Sequence, residues 1–188
     1  MRLLACLFVA AALAAQSNTT PAVHDAPQSP NDLKTNPARV QPQGEEEFVR
    51  ELYATISGPA AQKRDPDRFR NLFVKNLGRL VVIFKDPKTG QIGTRLLQPD
   101  DYIEKSFPYL EQHGFYENEV ARRTERYGNM MHIWSTYESR HKPGEQPFQR
   151  GINSIQLVND GNGWKIMEIA WQGETPDNPL PEQYLHTH

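Results

Sequence analysis

Apolar residues recur at two periods along this chain, and the change of period divides it. Phe48, Leu52 and Ile56 fall every fourth residue in "EEEFVRELYATISG", Glu45 to Gly58. Acidic residues crowd the start and Gly58 closes the end, so this stretch predicts a helix. "DPDRFRNLFVKN", Asp65 to Asn76, opens on a capping aspartate with proline behind it and carries Phe69, Leu72 and Phe73 as its stripe. It predicts a second helix. "RLVVIFK" and "QIGTRLL" are rich in β-formers and flank the turn letters Asp86 to Gly90. "PDDYIEKSFPYLEQHG", Pro99 to Gly114, predicts a third helix, bent or broken near Pro108. Four strands follow, at about 115–127, 129–140, 148–158 and 163–173. Helices grouped with an antiparallel meander indicate an α+β domain with the helices over one face of a curved sheet.

The turns set a register. Gly128-Asn129 makes Tyr127 the partner of Met130, so Arg123 faces Trp134 and Glu125 faces His132. Taking Arg140 opposite Phe148 sets His132 beside Gln156 and Trp134 beside Ser154. In the last hairpin, "INSIQLVNDGNGWKIMEIAW" (Ile152 to Trp171), Val158 opposite Trp164 puts Ser154 beside Glu168. One face then carries the row Arg123, Trp134, Ser154, Glu168 and a second row Glu125, His132, Gln156, Ile166. The other carries Met131, Ile133, Tyr137, Ile155, Leu157, Met167, Ile169 and Trp171. The mixed face is either solvated or lines a pocket beneath the helices. The apolar face needs a cover of its own, which a second subunit would supply.

Length and composition place this domain within the chain. The 188 residues, 37% of them hydrophobic, suit one domain with tails. Residues 1–15, "MRLLACLFVAAALAA", have the form of a secretory signal and are short for a membrane span. Residues 16–43 are rich in Pro, Asn, Gln, Ser and Thr without an aromatic residue, the composition of a disordered linker. The domain is expected over 44–175 and a C-terminal tail over 176–188. A net charge of -2 with no basic run offers no field for nucleic acid. The single cysteine, Cys6, lies in the signal, so the exported protein would have no disulfide. Nucleotide loops, zinc spacings and nucleophile elbows are absent from the sequence; the reading calls for no cofactor and no metal.

The element order and the closing "DGNGWKIMEIAW" resemble the nuclear transport factor 2-like superfamily, in particular its SnoaL-like and ketosteroid isomerase-like members, over about residues 44–175. The resemblance implies a cone-shaped, curved antiparallel sheet whose concave face is covered by three N-terminal helices. It implies that Ser154 and Glu168 point into a ligand pocket. It also implies Tyr53 as an oxyanion donor and Asp86, ahead of Pro87, as a base. The acid that isomerases carry on the penultimate strand is missing from "NSIQ".

The catalytic candidates are therefore Glu168, His132, Asp86 and Tyr53, with Trp134, Ser154, Gln156 and Arg123 as ligand contacts. Each has a plain structural counterpart: Asp86 as a turn residue, Tyr53 as core packing, His132 as a satisfied histidine, Glu168 as a solvated one. The expected protein is an exported small-molecule-binding domain with a partly apolar pocket. Its chemistry would be cofactor-free acid/base catalysis of isomerase, hydrolase or dehydratase type. A non-catalytic carrier and a homodimeric assembly module are the alternatives. The expected partners are a small molecule and a second copy of the chain, without nucleic acid or stable membrane insertion.

Overall fold

A computed structural model describes residues 44–186. The expected signal at 1–15 and linker at 16–43 lie outside the described residues. α1 spans Glu45–Ile56 and buries Phe48, Val49, Leu52, Tyr53 and Ile56. α2 is a single turn longer than its cap, Pro66–Arg70, with the Asp65 carboxylate accepting from the Asp67 and Arg68 amides, both at 2.9 Å. The helix expected to reach Asn76 stops early because the chain turns to join the sheet. The Ile166 amide donates to Leu72 O at 2.8 Å and the Val74 amide to Ile166 O at 3.0 Å. α3, Pro99–His113, runs unbroken across Pro108. The proline withholds a bond from the Glu104 carbonyl, and Glu104 is exposed, so water can replace it.

β1 (Arg79–Lys85), β2 (Ile92–Leu97), β3 (Tyr116–Tyr127), β4 (Met130–Arg140), β5 (Gln149–Asn159) and β6 (Trp164–Gly173) form one sheet in the order β2-β1-β6-β5-β4-β3. The sheet is mixed, not antiparallel throughout: β1 and β6 run parallel, from Arg79↔Glu168 to Ile83↔Gln172. The bonds from Leu72 and Val74 to Ile166 start that pairing, and β1 continues it in the same sense. Turn chemistry specifies neighbouring strands only and carries no signal for this long-range pair.

The β3–β4 and β4–β5 registers follow the turns as expected, with Arg123↔Trp134, Glu125↔His132, His132↔Gln156 and Trp134↔Ser154. The last hairpin differs. Asn159 pairs with Trp164 and Leu157 with Ile166, but Gln156 pairs with Glu168. Met167 is thus an extra residue, a bulge. It sets Glu168 beside Gln156, not Ser154, and turns Ile166 into the core.

The helices cover the apolar face. Met131, Ile133, Tyr137, Ile155, Leu157, Ile166, Ile169 and Leu80 join Phe48, Leu52 and Ile56 of α1, Phe69, Leu72 and Phe73, and Phe107 and Leu110 of α3 in a single core. The side carrying Glu168, His132, Trp134, Ser154, Gln156 and Arg123 is the outer side, the reverse of the expected assignment. Energetics explain the choice. Each fully buried Ile or Leu is worth about 1.5–3 kcal/mol, and Ile133, Ile155 and Leu157 are all wholly excluded from water. Covering the mixed face instead would forfeit that and bury charge.

The C-terminal segment crosses part of the outer side. Arg150 pairs with Glu174 at 3.2 Å and Lys85 with Asp177 at 2.8 Å. A short 3₁₀ turn, Glu182–Tyr184, then lies against β3 and β4, where the Thr136 hydroxyl donates to Tyr184 O at 2.5 Å. Tyr184 packs on Trp134 with ring centres 5.6 Å apart.

Candidate functional site

Alternation along β5 leaves one polar side chain on the core side of an otherwise apolar run, and it locates the site. Asn153 is buried between Ile155 and Trp171 of the inner face. Its amide nitrogen donates to the Tyr53 hydroxyl at 3.0 Å. Tyr53 reaches this point from α1, one turn beyond Val49, and its hydroxyl lies 2.7 Å from Ser135 Oγ of β4. Ser135 in turn donates to Glu119 of β3 at 2.6 Å, and Glu119 is clasped by the Arg122 guanidinium at 2.6 Å. The Glu117 carboxyl of β3 is near enough to feel Asn153 and accepts from the Ser139 hydroxyl at 2.7 Å.

Local structure holds Glu117 in place. Gly58 and Phe115 exchange backbone bonds of 2.7 and 3.0 Å, tying the end of α1 to the root of β3. Gly114, just before, has φ +73, and a Cβ there would lie 2.8 Å from His141 O, so glycine is required. The Glu117 amide then donates to Ser57 Oγ at 3.0 Å. Arg64 secures the same corner. It is buried and donates to the Ile56, Gly58 and Gln62 carbonyls at 2.9, 2.8 and 2.6 Å. Tyr53 and Glu117 are thereby fixed relative to one another from adjacent elements.

The electrostatics follow from that enclosure. Burial pushes the Glu117 carboxyl up to about 7, against the opposing hydrogen bonds of Ser139 and Asn153. Glu117 is nonetheless only partly withdrawn from solvent and keeps some accessible surface. Burial raises the Tyr53 phenol far above its ordinary value, and the Glu117 charge adds to this, outweighing Ser135 and Asn153. Tyr102 of α3 behaves alike, raised first by burial and then by Glu117. It also keeps accessible surface and meets Trp171 edge-on with ring centres 6.2 Å apart. A carboxyl that titrates near neutrality, flanked by two phenols and an amide within apolar walls, can give or take a proton at physiological pH.

Of the candidates named from the sequence, only Tyr53 belongs to this cluster. Asp86 sits in the β1–β2 loop. Its carboxylate accepts from the Lys88 and Thr89 amides at 2.7 and 2.9 Å, bonds that lower its pKa and make it a turn residue. Glu168, His132, Gln156 and Ser154 line an open depression of about 440 Å³ on the outer side with Leu77, Arg79 and Met167. There His132 Nε2 lies 3.0 Å from Ser154 Oγ, and the His132 ring meets Trp134 edge-on. Arg123 is exposed and lies 3.5 Å from Glu125. These residues share no space with Tyr53 and Glu117, since the sheet lies between.

Sequence reasoning missed Glu117, Asn153, Ser135, Ser139 and Tyr102. Asn153 was visible as the lone amide in an apolar alternation; β3, with polar residues on both faces, offered no signal for Glu117. Among the described residues no group of His, Cys, Asp or Glu is placed to hold a metal ion, and no helix is long and apolar enough to cross a membrane.

A six-stranded sheet roofed on one face by helices, with polar groups set into that face, defines a nuclear transport factor 2-like α+β fold. Comparison with solved structures bears this out. A nuclear transport factor 2-like superfamily protein from Salmonella enterica serovar Typhimurium superposes with a TM-score of 0.50 at 16% identity, over 72% of this chain and 89% of that one. A protein of unknown function with a cystatin-like fold from Nostoc punctiforme gives 0.51 at 10% identity, over 72% and 92%. A Mycobacterium tuberculosis protein of unknown function gives 0.52 at 11% identity, over 73% and 75%. No protein-family model and no curated protein matches the sequence. At such identities the likeness is one of fold, and function rests on the site.

Proposed function

We propose that the helix-covered face binds a small, partly apolar molecule and that Glu117 exchanges a proton with it, without a cofactor. One observation carries this reading: a carboxyl poised near neutrality is held inside the fold, between Tyr53, Tyr102, Asn153 and Ser139. Placing an acid there opposes stability, and a purely structural core has no use for it. Reactions of isomerase, hydrolase or dehydratase type use such a group. The same site without turnover makes a carrier. Residues 1–15 would direct the protein out of the cytoplasm, which mass measurement of the mature chain from culture fractions tests.

Native mass spectrometry of the purified protein is the primary experiment. A retained small molecule that is lost from Glu117→Gln supports the inner site. Turnover of that molecule with a limb near pH 7, absent from Glu117→Gln, makes the protein an enzyme; retention without turnover makes it a carrier. Binding that survives Glu117→Gln and perturbs only His132, Gln156 and Glu168 sinks the proposal.

A second reading, homodimeric assembly through the outer side, is favoured by its apolar strip. Ile92 and Leu96 of β2 are 61% and 63% exposed, Leu96 opposite Val81 of β1 and Ile92 opposite Lys85. Sedimentation of the wild type against Leu96→Glu tests it.

A further inference from the structure

We infer that the open depression on the outer side of the sheet is a second ligand site, independent of Glu117, and that it takes a free α-amino acid with an apolar side chain. Arg79 receives the carboxylate, Glu168 receives the ammonium group, and Leu77 and Met167 flank the side chain.

Two departures from regular structure build the depression. After Val74 joins Ile166, the chain makes a tight turn in which the Leu77 and Gly78 amides both donate to Val74 O, at 3.2 and 2.8 Å. Asn76 lies in the left-handed region, φ +63, which asparagine tolerates better than most residues. The turn leaves Leu77 57% exposed as one wall. The bulge at Met167 then brings both Met167 and Glu168 to the same depression. Regular alternation would send one of the two to the other face. His132 and Ser154 also line it and satisfy each other at 3.0 Å.

Charge selects the ligand. Arg79 and Glu168 are register partners in the β1–β6 pair, and both line the depression. They carry opposite charges and yet form no ion pair. The turn accounts for this, because it holds Arg79 Nη1 with Gly78 O at 2.9 Å and Asn76 O at 3.3 Å. The guanidinium keeps Nε and Nη2 for a carboxylate. Among the described residues neither the Glu168 carboxylate nor the Gln156 side-chain amide has a hydrogen-bond partner. Gln156 pairs with Glu168 across β5 and β6, and its amide offers both a donor and an acceptor. Lys165, further along β6, is engaged with Asn71 O at 2.5 Å. The site thus presents one positive and one negative group from adjacent strands, about 4.8 Å apart at the backbone. An α-amino acid carries its own two charges on a single carbon and matches that arrangement. A simple anion is opposed by Glu168, and a simple cation by Arg79.

An open site with solvated charges binds weakly, with Kd on the order of 1 mM, too weak for its ligand to survive purification. The experiment therefore titrates the full chain, labelled with carbon-13 at the methionine methyls, and follows it by NMR. Met167 reports the depression, and Met131, buried in the core, reports the fold. The probes are L-leucine, N-acetyl-L-leucine, L-leucinamide and glycine. L-leucine should shift Met167 saturably and leave Met131 in place. The other three each lack one matched feature and should bind about fivefold more weakly. Glu168→Gln should weaken L-leucine by about fivefold without weakening N-acetyl-L-leucine, and Arg79→Gln should weaken L-leucine alike without weakening L-leucinamide. An Arg79→Gln chain that moves Met131 has disturbed the turn, and Glu168→Gln then decides alone. Met167 unmoved by L-leucine, equal binding of all four probes, or L-leucine binding unchanged in Glu168→Gln overturns the inference. None of these outcomes touches the reading of Glu117, because the sheet separates the two faces.

Discussion

Replacing Glu117 with glutamine should stabilise the protein at neutral and alkaline pH, because the wild type pays to keep an ionised carboxylate inside the fold. In the unfolded chain this group titrates near its ordinary 4.5, and in the folded state near 7. Below both values each state is protonated and the group contributes nothing. Between them the folded state holds a proton that the unfolded state releases, so stability falls as pH rises. Above about 7 both states are ionised and the loss is complete. The interval from 4.5 to about 7, at about 1.4 kcal/mol per decade, makes the full loss roughly 3 kcal/mol, of which about 2.5 falls between pH 5 and pH 8.

Glutamine matches the shape and cannot ionise. Its carbonyl can still accept from Asn153 or Ser139. The remaining acids and histidines are common to both proteins, so their contributions cancel in the difference. Urea unfolding at pH 5 and pH 8 measures it directly, with m-values checked for constancy. The Glu117→Gln chain should lose about 2.5 kcal/mol less than wild type over that range. Parallel stability profiles for the two proteins would mean that Glu117 is solvated in the folded state, and the enclosure argued from Tyr53, Tyr102 and Asn153 would fail.

Three further outcomes are expected. Tyr53→Phe leaves the buried Asn153 amide without its 3.0 Å acceptor and should cost about 1–2 kcal/mol in urea, with circular dichroism unchanged. Arg64→Ala removes the donor shared by three carbonyls at the α1–β3 corner and should cost about 2–4 kcal/mol; loss under about 1 kcal/mol shows the clamp to be dispensable. Glu168→Gln, on the open outer side, should move stability by no more than about 0.5 kcal/mol and leave small-molecule retention as in wild type.

Periodicity made the elements legible, and short turns made part of the sheet legible with them. Gly128-Asn129 permits one register for β3 against β4, and Arg123↔Trp134 and Glu125↔His132 follow from it. The bulge at Met167 had no such signal, since no glycine or proline marks it. The β1–β6 parallel pair joins segments some ninety residues apart in sequence, and no local letters encode it. The site was misplaced for another reason. Ser154, Gln156 and Glu168 stood out because they are polar within a strand, yet the face they share also holds Arg123 and Glu125 and so accepts water at no cost.

Asn153 was the informative residue. Its neighbours on the same face, Ile155, Leu157, Ile169 and Trp171, fix that face as the one withdrawn from solvent. An amide among them must find partners inside or cost several kcal/mol. Its partner is Tyr53, and through Tyr53 the chain to Ser135 and Glu119. The physical rule is that polarity marks a site where the surrounding face demands burial, because only there does the polar group have to be accounted for by another.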